Sequence, residues 1–208
     1  MTLLDLCSYI GLGAVGAVTL NLLLGMMMSL RYSPVRHWPH RRINVFALHQ
    51  WTAYIAVFLT LTHPAVLLFL KTPRFAIMDV LFPIHSYLQP KINLVGAAGL
   101  YLIVLVFASS LLRTRLGRPL WRNLHYLVFP AAALIFVHSI LTDPNLQDGH
   151  PDLLDGGKVF IEIAALLSLA AVAVRLHLRG RGLRAARELP AAQAGARPLE
   201  ASPDCTSD

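Results

Sequence analysis

The chain has 208 residues, of which 56% are hydrophobic and only 14% charged, where a soluble domain carries roughly 25% charged residues. That composition, with a mean hydropathy of +0.58, excludes an ordinary soluble domain and predicts an integral membrane protein. The net charge of +7 is not a nucleic-acid footprint, because the basic residues fall in short blocks between apolar runs, where they act as topology signals.

In chain order, the N-terminal MTLLD holds no Lys or Arg, and the apolar run behind it is long and is followed by Arg31, Arg36, Arg41 and Arg42. It does not read as a cleavable signal peptide, so the first helix is expected to remain as an anchor. Crossing about 30 Å of hydrocarbon takes roughly 20 helical residues. Five stretches reach that length, at 6–30, 45–70, 94–112, 124–141 and 159–178. The expected fold is therefore an all-α, five-helix transmembrane bundle. Segments 31–42 and 113–122 hold four arginines each, and Arg179, Arg181, Arg184 and Arg187 follow the last span. By contrast, Asp143, Asp148, Asp152 and Asp155 occupy a connection without Lys or Arg. Positive residues mark the cytoplasmic side, so the N-terminus is expected outside and the C-terminus inside.

The connection 71–93 contains RFAIMDVLFPIHSYLQP, too short an apolar run to cross and broken by Pro83 and Pro90. It is expected to lie at the outer interface or to re-enter the membrane. The domain reading is a membrane domain over 1–179 and a disordered cytoplasmic tail over 180–208, where Gly, Ala, Arg and Pro dominate before ASPDCTSD. Cys7 and Cys205 fall on opposite sides of the membrane in this topology, so no disulfide framework is expected.

Two of the spans carry paired histidines: His49 and His63 in HQWTAYIAVFLTLTHPAVLLF, and His125 and His138 in WRNLHYLVFPAAALIFVHSILTD. A polar ring in hydrocarbon is expensive and is a functional hypothesis by default. His49 and His125 lie near the arginine-rich ends of their spans, and His63 and His138 near the other ends, so the pairs match in depth. At about 1.5 Å per residue, the pairs are roughly 20 Å apart along each helix. Two histidines on each of two helices can hold two haem irons, one near each surface. At about 100° per residue, His49 and His63 are misaligned by about 40°, but His125 and His138 by about 140°. Pro130 between them is the candidate for a local rewinding that brings both to one face. An iron with two axial imidazoles has no open position for substrate and so transfers electrons.

The spacing His, thirteen residues, His on one helix and His, twelve residues, His on another resembles the ferric reductase-like transmembrane domain of ferric reductases and NADPH oxidases, over about 41–143. The wording WRNLHYLVFPAAALIFVHSIL also resembles the haem-binding membrane subunit of the bacterial methionine sulfoxide reductase system, although His49 departs from that subunit's pattern. The resemblance implies two b-type haems, the inner on His49 and His125 and the outer on His63 and His138. It also implies electron flow from the cytoplasmic side to an acceptor outside: ferric iron, a periplasmic reductase or oxygen. No GxGxxG on a strand-to-helix turn is present, so a separate cytoplasmic reductase, FMN or FAD at the cytoplasmic face or on a partner, or membrane quinol is the expected donor. A bacterial inner membrane is the expected location.

Arg42 and Arg122 are the candidates to pair with inner-haem propionates, beyond their topological role. His37, His40, His85, His150 and His177 read as loop or interfacial residues. Two rival readings stand beside the di-haem one: a one-haem or flavin-assisted subunit of a periplasmic methionine sulfoxide reductase, and a haem-free scaffold whose histidines hydrogen-bond between helices.

Overall fold

The computed structural model of the chain describes residues 2–30, 44–72, 74–86, 89–142 and 154–195, with the backbone alone at 85 and 182–195. All regular structure among them is helical. The elements are α1 Leu3–Ser29, α2 Val45–Leu67, α3 Ile77–Leu81, α4 Pro90–Leu111, α5 Arg113–Leu116, α6 Arg118–His125, α7 Val128–Leu141 and α8 Gly156–Gly195, with a 3-10 turn at Pro83–His85 before α4. Five stretches of the described residues are helical, apolar and long enough to cross a membrane: Leu3–Ser29, Val45–Leu67, Pro90–Leu111, Arg118–Leu141 and Gly156–Arg181. They coincide with the five expected spans, and the protein is an all-α integral membrane protein.

The chain clusters into two units, 1–171 and 172–208. In the first, α1 packs along α2 and α4 along α7. Small residues permit the contact of α4 with α7. Ala131 is fully buried and Ala97 and Ala132 nearly so, while a Cβ at Gly99 would stand 3.1 Å from Ile135. Between apolar helices in lipid there is little hydrophobic drive, so such close backbone approach supplies the attraction. Large apolar side chains instead point outward along the spans, with Trp51 and Phe58 each 67% exposed, as a lipid-solvated surface requires. The second unit contains the C-terminal part of α8. Its backbone is helical to Gly195, past the expected boundary at residue 179, over a sequence in which Ala and Arg, good helix formers, are interspersed with Gly180, Gly182 and Pro190. Residues 196–208 lie outside the described ones.

Local signals fix the ends. Thr2 and Asp5 form a reciprocal capping box at the start of α1, with Thr2 N–H donating to Asp5 Oδ2 at 2.6 Å and Asp5 N–H to Thr2 Oγ1 at 3.1 Å. Between α5 and α6 the chain turns at Gly117, whose φ is +76° and around which a Cβ would meet nothing within 4 Å. The glycine is there for its backbone angle. Segment 74–86 does not span: α3 and the 3-10 turn fold over one end of the first unit, tied down by Tyr101, whose hydroxyl donates to the carbonyl of Leu81.

The fourth span is broken between α6 and α7. Pro130 has no N–H for the carbonyl of Tyr126, which accepts instead from Phe129 N at 3.2 Å, and Leu127 N bonds Leu124 O at 3.0 Å. Both are three-residue steps, so the chain locally turns about 120° per residue in place of 100°. At about 20° gained per residue over three or four residues, this removes roughly half of the ~140° misalignment expected between His125 and His138. The proline does rewind the turn.

Candidate functional site

The four half-buried histidines meet across the first unit in the two expected pairs. The ring centroids of His49 and His125 are 6.4 Å apart with planes at 71°, and those of His63 and His138 are 6.4 Å apart with planes at 74°. A metal ion bonded at about 2 Å to one nitrogen of each ring, with roughly 1 Å more from each nitrogen to its ring centre, would separate the centroids by about 6 Å. The pairs therefore have the separation that one ion between them requires. Among the described residues no three His, Cys, Asp or Glu converge on a bare ion. Two facing imidazoles suit an iron whose other four ligands arrive with its own macrocycle.

Each ring is held by its Nδ1. His63 Nδ1 donates to Cys7 O at 2.9 Å, His49 Nδ1 to Asn21 O at 3.0 Å, and His138 Nδ1 to Ile92 O at 2.9 Å. A carbonyl only accepts, so these contacts assign the proton to Nδ1 and leave Nε2 with its lone pair free. His125 reaches the same state through a hydroxyl. Ser110 Oγ spends its only proton on Val106 O at 2.8 Å and can then accept from His125 Nδ1 at 3.2 Å. Trp121 packs on that ring at 5.2 Å and donates to Ser110 Oγ at 3.5 Å. Imidazole ligands are commonly oriented in this way, by a partner on the second nitrogen.

Why those carbonyls are reachable is a matter of helix geometry. A helical side chain leans toward the N-terminus and covers the carbonyl four residues earlier. The residues four after Cys7, Asn21 and Ile92 are Gly11, Gly25 and Gly96. With no side chain there, the carbonyl is open and the imidazole lies in the notch. A Cβ would fall 2.9 Å from His63 at Gly11, 3.3 Å from His49 at Gly25 and 2.7 Å from His138 at Gly96. Ser110 stands four after Val106, in the same register, and relays the bond that the glycines permit directly. Gly11 and Gly25 are fourteen residues apart on α1, as are Gly96 and Ser110 on α4, matching the fourteen between His49 and His63. Thus α1 seats the rings of α2, and α4 seats those of α6 and α7.

At the His63–His138 end lies a cavity of about 810 Å³ bordered by both rings, Gly11, Gly96 and Lys158, with Phe75, Val80 and Pro83 on the side of α3. Cofactor sites occupy about 300–1,000 Å³, so the cavity, the paired Nε2 atoms and the glycine notches fit a haem. Of the other expected site residues, Arg122 is exposed on α6, three residues before His125. Arg42 lies outside the described residues, as do His37, His40, His150, the side chain of His85, Cys205 and the aspartates of 143–153. Cys7 is buried as a free thiol, its Sγ donating to His63 O at 3.3 Å. Sequence reasoning missed Gly11, Gly25, Gly96 and Ser110, although their fourteen-residue repeat was present as a signal. It also passed over Lys158, the one basic residue at the head of the fifth span.

Fold and site together define an integral membrane protein built around two pairs of facing imidazoles. The chain belongs to the family described as ferric reductase like transmembrane component, whose family model matches residues 12–136. This marks it as a membrane electron-transfer component. His49, His63 and His125 fall within the matched residues, and His138 lies two beyond them. No curated protein and no solved structure matches the chain.

Proposed function

We propose that the protein is a di-haem cytochrome b subunit that carries electrons across a membrane. The observation that carries the reading is the pair of 6.4 Å imidazole contacts, each with both Nδ1 atoms engaged and both Nε2 atoms left to bind. When bound, each haem supplies a one-electron iron couple. His49 and His125 hold one iron, and His63 and His138 the other. Carbonyls of Cys7, Asn21 and Ile92 keep the imidazoles in the Nδ1–H form and raise the basicity of Nε2. With both imidazoles of a pair committed to one iron, His49 with His125 and His63 with His138 would leave that iron no open position for water or oxygen.

The arginine-rich segments 31–42 and 113–122 join α1 to α2 and α4 to α6 at the His49–His125 end. That supports placing this end on the cytoplasmic side, with Arg42 and Arg122 pairing haem propionates there. A separate reductase, a flavin or quinol supplies electrons, and the acceptor lies outside. The spectroscopic test is direct. The reduced protein is expected to leave its visible bands unchanged under carbon monoxide, and the oxidised protein to give the strongly anisotropic low-spin signal that steeply crossed imidazole planes produce. A carbon monoxide adduct at full occupancy would mean an open iron and sink the bis-histidine assignment.

A further inference from the structure

The short helix α3 and the 3-10 turn behind it have two faces of different character. Phe75, Asp79, Val80 and Pro83 border the cavity at the His63–His138 end, and all four are buried or half-buried. Interleaved with them, Ile77, Met78, Leu81, Phe82 and Ile84 are exposed, Met78 by 68% and Ile77 by 63%. Phe75 to Asp79 and Met78 to Phe82 are four-residue steps, Val80 to Pro83 and Met78 to Leu81 three-residue steps, the spacing that keeps side chains on one face of a helix. One face closes the cavity. The other is a contiguous apolar patch that the described residues leave uncovered, and such a patch marks an interaction surface.

Its depth identifies the partner. The hydroxyl of Tyr101 donates to Leu81 O, and the ring of Phe82 lies 6.4 Å from that of Tyr101. Tyr101 stands eleven residues past Pro90, the first residue of the span α4, which is about 16 Å along a helix. Its side chain leans back toward that end, yet Leu81 remains level with the span and not beyond it. On α4 itself Leu94, Tyr101 and Leu105 are exposed, so the apolar face of α3 continues the surface that this span presents to lipid. The chain enters and leaves the dip through basic residues, with exposed Lys71 and Arg74 before it and exposed Lys91 after it. Long cationic side chains reach headgroups while their apolar neighbours sit among acyl chains.

We propose that membrane lipid occupies this face, so that α3 is a wall of the His63–His138 cavity supported from behind by the bilayer. What the cavity holds rests on the di-haem reading; the lipid contact does not. A helix of five residues is not stable alone in water. Here Ala76 N–H donates to Asp79 Oδ2 at 2.9 Å to close its first turn, Tyr101 holds its end, and insertion of the apolar face adds the support that its length lacks.

The full chain carrying Cys205→Ser, reconstituted in phosphatidylcholine vesicles opened to a charged, water-soluble maleimide on both sides, allows a direct test, with the reaction of Cys7 as background. The thiolate is the reacting form, and a thiol among acyl chains stays protonated. Met78→Cys is therefore expected to react at least about tenfold more slowly than Thr72→Cys, and to stay slow as the protein is diluted into more lipid. Reaction at the Thr72→Cys rate would put the face in water, open to a protein partner, and overturns the proposal. Shielding that disappears on dilution would be a contact between copies of the chain, and overturns it too. The supporting role is read from the cofactor. Met78→Asp with Phe82→Asp is expected to lower bound haem from two per chain to one, and Met78→Leu with Phe82→Leu to keep both; undiminished haem in the Asp pair overturns that role. Labelling needs no haem, so wild-type protein without haem would overturn the reading of the cavity and leave the lipid face to its own result.

Discussion

Replacing His63 or His138 by Ala is expected to reduce bound haem from two per chain to one, and replacing His49 or His125 is expected to remove the other one. The sharper expectation concerns double variants. In the proposed reading each iron would be shared by two rings whose centroids are 6.4 Å apart, so removing the second ligand of a pair takes away nothing that the first removal left. His63→Ala with His138→Ala should still bind one haem. His49→Ala with His63→Ala, on one helix but in different pairs, should bind none. Such non-additivity within a pair and additivity across pairs is the signature of two independent units. The visible spectrum and haem content per polypeptide measure it. One haem in the cross-pair double variant would show that the histidines are not paired in this way.

A single methyl group at Gly96 is expected to weaken the His63–His138 site about ten- to a hundredfold. The added Cβ would stand 2.7 Å from His138 Nδ1 and 2.8 Å from its Cγ and Cε1, so the ring must leave the notch and lose its bond to Ile92 O. Overpacking of this kind costs about 1–3 kcal/mol, with a tenfold loss for every ~1.4 kcal/mol. The gain in helix propensity from Gly to Ala works against it, but amounts to only about 1 kcal/mol and acts on the helix, not on the site. Gly11→Ala, at 2.9 Å from His63, should follow closely, and Gly25→Ala, at 3.3 Å from His49, should be milder. Gly13 is the control: a Cβ there meets Leu59 at an ordinary 3.6 Å, and its Ala variant should bind haem as the wild type does. Haem titration of the four variants tests the order. Equal effects at Gly13 and Gly96 would reduce the notches to general helix packing.

The spans were legible because length and apolarity alone decide whether a helix crosses, and all five were found. Pairing of the histidines was legible from their depth. Their direction was not, because an ideal helix aims His125 and His138 apart; the three-residue steps at Leu127 and Phe129 that correct this depend on how the carbonyl of Tyr126 is re-satisfied, which Pro130 permits but does not dictate. The seats of the rings were hidden for another reason. A glycine in an apolar helix usually reads as a packing residue, and only the structure pairs Gly11, Gly25 and Gly96 with the carbonyls they uncover. Lys158 escaped notice because it stands at a span boundary, where a lysine normally reaches water; here the end of α7 satisfies it instead.

The central claim is that two haems are bound, each between two helices. A pyridine haemochrome assay on the purified full chain, expressed with ample haem and quantified per polypeptide, tests it most directly. The account expects two b-type haems per chain. A protein that stays colourless, or that saturates at one haem, would contradict it.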